Sequence, residues 1–211
     1  MKKLLLALAT LSILNCQLSI AVAQTILPRD PAIAAAVEAI SVENLRATVT
    51  DLVALHNRNN VSPAAPDRGV AAAADYLTGR LQELAAQSGG RMSVSQIAYT
   101  AGGEGERIPR PTQLLNVVAT IHGSEAEGAE ETPAEATPAE AARTEAAPRV
   151  IALLAHFDNR GADPLDGTSF VPGANDDGSG VAALLEIARL LPALDPRATV
   201  KLIFTSGEEH G

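Results

Sequence analysis

Cysteine is almost missing from this chain: Cys16 is the only one in 211 residues, and it lies in the first stretch. No disulfide framework is therefore available to hold the fold. Aromatic residues make up 2%, tryptophan is absent, and no cluster of lysine or arginine appears anywhere. Without stacking side chains or a basic patch, the sequence excludes a nucleic-acid-binding surface. After the first stretch no apolar run approaches the roughly 20 residues that cross a bilayer as a helix, so no transmembrane span is expected.

The N-terminal stretch reads as a secretory leader. Lys2 and Lys3 form a positive start, Leu4 to Leu14 an apolar stretch, and Ala21-Val22-Ala23 a small-residue cleavage site before Gln24. The mature chain is expected to be exported, secreted or periplasmic, and free of cysteine. Acylation of Cys16 as a lipoprotein is the alternative; Asn15 fits it poorly, since that position usually holds a smaller residue.

The formal charge is −9, and its distribution matters more than its size. Residues 124–148 hold seven Glu and one Arg, a net −6, which leaves −3 for everything else. The same tract repeats Thr-Pro-Ala-Glu-Ala at 132–136 and 137–141. It offers almost no apolar bulk to bury, so it is expected to be a disordered, dispensable insertion between two strands, cut first by a protease. A recognition tail is the other reading.

Around that insertion the hydrophobic periodicity alternates between helix and strand. Residues 32–55 read as helical, with Ser41 capping the second part, until Asn57-Arg-Asn-Asn60 and Pro63 to Pro66 break the pattern. Gly69 to Ala86 carries Val70, Ala73, Ala74, Leu77, Leu81 and Leu84 on one helical face. Met92 to Thr100 reads as an edge strand and Leu114 to Ile121 as a buried one. Val150 to Ala155 is wholly apolar and is expected to be buried on both faces. Val181 to Leu191 reads as a helix and Thr199 to Thr205 as the last strand, which makes a βαβ unit. The fold class is α/β, with 114–121, 150–155 and 199–205 expected to form a parallel core. Ending at Gly211 is expected to leave one flank of that sheet unpaired.

Chemistry-bearing residues gather where these strands end, as ligand sites do in α/β sheets. Ala-His156-Phe-Asp158 follows one strand, and Asp158 is placed to accept from the second nitrogen of a metal-bound imidazole. Alone, His-x-Asp is weak and fits a structural histidine better. Pro-Gly-Ala-Asn-Asp176-Asp177-Gly-Ser-Gly feeds the helix that follows. Either Asp177 or Ser179 can cap that helix, and a carboxylate there can also bridge two cations. Ser-Gly-Glu208-Glu209 ends the last strand. Neighbours on an extended chain diverge, so one glutamate can ligate while the other faces reacting water; a solvated acidic loop is the bland alternative.

In combination, these three motifs, with Leu-Leu-Glu-Ile-Ala behind the second, resemble the secreted co-catalytic dizinc aminopeptidases, the group that includes bacterial leucyl aminopeptidases. The likeness runs from about Ile40 to Gly211, skips the insertion, and is diagnostic from Val150 onward. It implies a three-layer α/β/α sandwich with a mixed, largely parallel sheet. It implies two zinc ions, His156 and Glu209 holding one each and Asp176 bridging both, with Asp158 orienting His156. It assigns Glu208 as the base that takes a proton from the attacking water, and peptides with a free N-terminus as substrates. It also implies a cis Asp176–Asp177 peptide bond. The family adds an Asp and a His beyond the Glu-Glu motif; the 211 residues stop short of them and are expected to be inactive alone. His56 and His122 are expected to be structural, and His210, next to Glu209, to point away from the ions. Two other functions share these motifs: a binding or structural protein on the same scaffold, and a single-zinc glutaminyl cyclase-like acyltransferase.

Overall fold

A computed structural model describes residues 29–124 and 149–211. The leader and nearly all of the acidic insertion lie outside the described residues. Chain contacts divide the protein after Ala35. On the N-terminal side, Asp30 accepts hydrogen bonds from the main-chain N–H of Ala32 and Ile33 and starts helix α1 (Pro31–Glu38). Everything below concerns Ala36–Gly211.

Ser41 opens the next helix, α2 (Val42–Ala54), by accepting from the N–H of Asn44, the capping role its sequence position suggests. Helix α3 (Gly69–Gln87) buries Val70, Ala73, Ala74, Leu77 and Leu81, the stripe visible in its 3.6-residue periodicity. Strand β1 (Met92–Ala101) pairs antiparallel with β2 (Thr112–Ile121). Strand β3 (Val150–His156) leads through helix α4 (Gly178–Leu190) to β4 (Thr199–Thr205), and β3 and β4 pair in parallel. The sheet order is β1-β2-β4-β3. Among the described residues no helix is long and apolar enough to cross a membrane.

Register shows which sheet face is packed. Val117 lies beside Phe204, Ala119 beside Leu202, and Ile121 beside Val200, all buried with Met92 of β1 and Ala155 of β3. Leu52, Leu77, Leu81, Val181 and Leu185 from the helices fill the same core. On the opposite face Ile97, Tyr99 and Leu154 are exposed. The described residues thus supply the sheet and one helical layer of the α/β sandwich.

Two expectations change. Strand β2 runs antiparallel to β4, so β3–β4 is the one parallel pairing among the described strands. An apolar β-branched run specifies burial but not direction, which depends on where the chain re-enters the sheet. Among the described residues strand β3 also stands at the margin of the sheet, with Val150, Ile151 and Leu154 more than half exposed, where burial on both faces was expected.

Glu186 and Arg189, the polar exceptions on α4, join this helix to the α1–α2 connection. Glu186 is 5% exposed and accepts from Arg189, from the N–H of Ser41 at 2.7 Å and from Asn44 Nδ2 at 3.2 Å. Arg189 also donates to the carbonyl of Ala39. The bonds from Arg189, reinforced by those from Ser41 and Asn44 against the cost of burial, draw the Glu186 carboxyl down to about 2. A folded-state pKa below the unfolded value near 4.5 contributes stability that is fully present above that value. It is lost as pH falls from there through about 2. Glu186→Gln is therefore expected to lower stability by about 1–3 kcal/mol at neutral pH. Between pH 5 and 2 it should lose less than the parent protein. Chemical denaturation in EDTA across that range measures both; parallel acid limbs would show that Glu186 carries none of the effect.

Candidate metal centre

Parallel pairing brings two of the motifs together. His156 ends β3 beside Thr205 at the end of β4, and the pairing continues as the N–H of Phe157 donates to Thr205 O. Both strands therefore leave the sheet at the same end. The third motif arrives by the crossover. Asp177 caps α4 by accepting from Gly180 N–H at 3.0 Å, and its other oxygen accepts from His156 N–H at 3.3 Å. The capping role is real, and it also fastens the helix start to β3. The Asp176–Asp177 peptide bond is cis.

Asp176 then projects beside the imidazole, with His156 Nε2 3.1 Å from its Oδ1. Gly207, at φ 125°, turns the chain out of β4 into a short 3₁₀ turn, Glu208–His210. This corrects the extended geometry expected for the glutamate pair. The two carboxylates still part: Glu209 is 14% exposed and Glu208 62%, with Glu208 Oε2 3.9 Å from His156 Nε2. Donor atoms of His156, Asp176 and Glu209 all lie within 4.8 Å of one another.

The donor set suits zinc, which takes imidazole nitrogen and carboxylate oxygen. Two further observations suit a cation. Burial disfavours a charged imidazole at His156, but Asp158, Asp177 and Glu208 outweigh it and raise its pKa. A divalent ion would neutralise the same negative field. In addition, Asp158 Oδ1 is buried without a hydrogen-bond partner, 3.5 Å from His156 Nδ1. It can accept from that nitrogen once Nε2 is engaged. In the structure the Nδ1 atom lies nearer the Asp158 main-chain oxygen, at 3.2 Å.

Asp158 links more than His156. Its Oδ2 accepts from the N–H of Glu209 at 3.2 Å and from Asn60 Nδ2 at 3.0 Å. One carboxylate thus touches segments that carry two of the three candidate ligands. Arg160 donates to Glu209 Oε2 at 2.9 Å. Together with Arg107, Pro164, Leu165 and His210, these two residues line a cleft of about 380 Å³.

The other histidines make contacts outside the set of candidate ligands. His210 is buried, its ring nitrogens facing Pro164 O at 2.9 Å and Asn60 Nδ2 at 3.4 Å. His56 contacts Thr168 O and the ring of Phe170, and His122 contacts Ser93.

Sequence reasoning missed Arg160 and the whole Asn57–Asn60 run. All four residues of that run are at most 4% exposed. Asn57 donates to Asp166 O and Ser169 O, and Asn59 to Pro164 O. The available signal was quantity: three asparagines and an arginine in a row hold far more hydrogen-bonding capacity than stopping a helix requires.

Residues 139–211 match the family described as Peptidase family M28. That stretch, which holds all three motifs, carries the likeness to M28 peptidases. A probable zinc metalloprotease from Leptosphaeria maculans is 37% identical over 180 residues, covering 85% of this chain and 37% of that protein. The chain spans about a third of the length of the curated relatives it matches. Solved structures of low identity share the fold. The LapA aminopeptidase of Legionella pneumophila superposes with a TM-score of 0.56 at 19% identity, over 88% of this chain and 42% of that one. A glutaminyl cyclase of Fimbriiglobus ruber gives 0.56 at 16% identity, over 82% and 47%.

Proposed function

We propose that the full-length protein is an exported zinc aminopeptidase that removes N-terminal residues from peptides, with two zinc ions in its completed site. The observation that carries this reading is the convergence of His156, Asp176 and Glu209 with the carboxylate of Glu208 beside them. The naming of relatives as zinc metalloproteases and the fold shared with an aminopeptidase support it.

Zinc held by His156, Asp176 and Glu209 would supply Lewis-acid polarisation of the scissile carbonyl and lower the pKa of water. The remaining work falls to the protein's own groups. Glu208 stands at the exposed mouth of the site, where its carboxylate can take a proton from the attacking water and return it to the leaving amine. Asp158 holds the Glu209 main chain and stands ready to fix the tautomer of His156. Arg160 restrains the Glu209 carboxylate through Oε2. Asp177 keeps the main chain of His156 against the start of α4.

Zinc analysis of the purified full-length protein, with aminoacyl-nitroanilide hydrolysis, tests the reading. Two zinc ions and chelator-sensitive turnover are expected. One zinc with cyclisation of N-terminal glutamine would favour an acyltransferase, whose fold the Fimbriiglobus enzyme shares. No zinc and no turnover would leave a binding protein on the same scaffold. Export predicts a mature N-terminus at Gln24, which mass spectrometry of the secreted or periplasmic product reads directly.

A further inference from the structure

Among the described residues Arg58 is the largest fully buried side chain, at 0% exposure. Its guanidinium donates to four carbonyls from three separate segments. Nε reaches Phe157 O at 2.7 Å, Nη1 reaches Leu52 O and Pro172 O at 3.0 Å each, and Nη2 reaches Gly173 O at 2.8 Å. Phe157 lies between His156 and Asp158, Gly173 lies three residues before Asp176, and Leu52 is near the end of α2. The backbone of Arg58 is clamped as well: its N–H donates to Asn159 Oδ1 at 2.9 Å, and its carbonyl accepts from Asn159 N–H at 3.3 Å. Gly173 has φ +47°, and a Cβ there would stand 2.7 Å from both Arg58 Nη2 and Asn159 Nδ2. Only glycine lets that loop approach the fork so closely.

A buried cation is an expensive way to fill space, and an apolar side chain of similar volume would pack as well. Burial draws the Arg58 pKa down to about 10, with Asp158 opposing, so the group stays charged at neutral pH. What the planar fork provides, and neither an apolar residue nor lysine can, is several donors in fixed directions. Here those directions lead to the two loops that present His156 and Asp176.

We propose that Arg58 is a positioning residue for the metal centre, one guanidinium that sets the separation of His156 from Asp176 by holding both loops against the end of α2. The proposal rests on reading His156, Asp176 and Glu209 as metal ligands. Lysine at this position keeps the charge but cannot span four carbonyls, so both loops would relax relative to each other. The effect belongs to metal affinity, in the manner of other outer partners of a metal site.

The test compares the full-length protein with Arg58→Lys and Arg58→Gly. Zinc affinity is measured by competition with a chelator, and the melt of the metal-free form is followed in EDTA. Arg58→Lys is expected to keep a cooperative metal-free melt while binding zinc about 10–100-fold more weakly. Guanidinium ion at low millimolar concentration is expected to restore affinity to Arg58→Gly, while sodium chloride at equal ionic strength does not. Zinc affinity within about twofold of the parent in a folded Arg58→Lys protein would overturn the proposal. So would equal rescue by sodium chloride, or failure of both variants to fold, since the guanidinium would then serve the fold alone. Absence of zinc binding in the unsubstituted protein would overturn the metal reading beneath it.

Discussion

Glu208→Gln in the full-length protein is expected to cut peptide hydrolysis by about 10²–10⁴-fold while leaving zinc content unchanged. Glu208 is 62% exposed, and its Oε2 lies 3.9 Å from His156 Nε2. It stands outside the set of donors that converge within 4.8 Å, so its substitution removes a proton acceptor and no ligand. Glutamine has the same shape and cannot accept the proton. Its exposure also means that folding should be indifferent, since surface substitutions rarely exceed about 0.5 kcal/mol. Steady-state kinetics with aminoacyl-nitroanilides, alongside zinc analysis of the same preparations, reads both quantities. Near-normal kcat with zinc retained would remove Glu208 from the mechanism. Loss of zinc would make it a ligand.

Asp176→Ala should fail differently, losing metal and activity together. Its carboxylate is 77% exposed and 3.1 Å from His156 Nε2, so it contributes little to packing. The metal-free melt in EDTA should stay within about 0.5 kcal/mol of the parent. Zinc affinity should fall beyond the roughly 10–100-fold typical of losing an outer partner, because a catalytic zinc ordinarily has three protein ligands and a bridging carboxylate serves both ions. Zinc binding at parental affinity would place the bridging group elsewhere. The two variants form a pair: one should bind metal and not turn over, the other should do neither.

The candidate ligands were legible in the sequence for a physical reason. His156 and Glu209 belong to motifs that change abruptly from apolar strand to polar loop, as Leu-Leu-Ala gives way to His156-Phe-Asp158, and Asp176 stands in the glycine-rich loop that starts α4. The helices α2 and α3 were legible through Ser41 and the alanine-leucine stripe, since capping and periodicity are local properties. Asp177 was legible as a cap, but its second bond, to His156 N–H, joins residues 21 apart and depends on the crossover.

By itself, then, the sequence determined the helix caps, the strands, the βαβ unit and the residues with metal-binding chemistry, because those follow from neighbours along the chain. Tertiary structure decided the antiparallel entry of β2 and the 3₁₀ turn that aims Glu208 and Glu209. It also decided that Asn57–Asn60, polar enough to read as a loop, would be buried whole. A hydrogen bond reveals nothing of its partner in the one-dimensional pattern. Arg58 donates to Phe157 O across 99 positions and to Gly173 O across 115, and only the folded chain brings those carbonyls into reach.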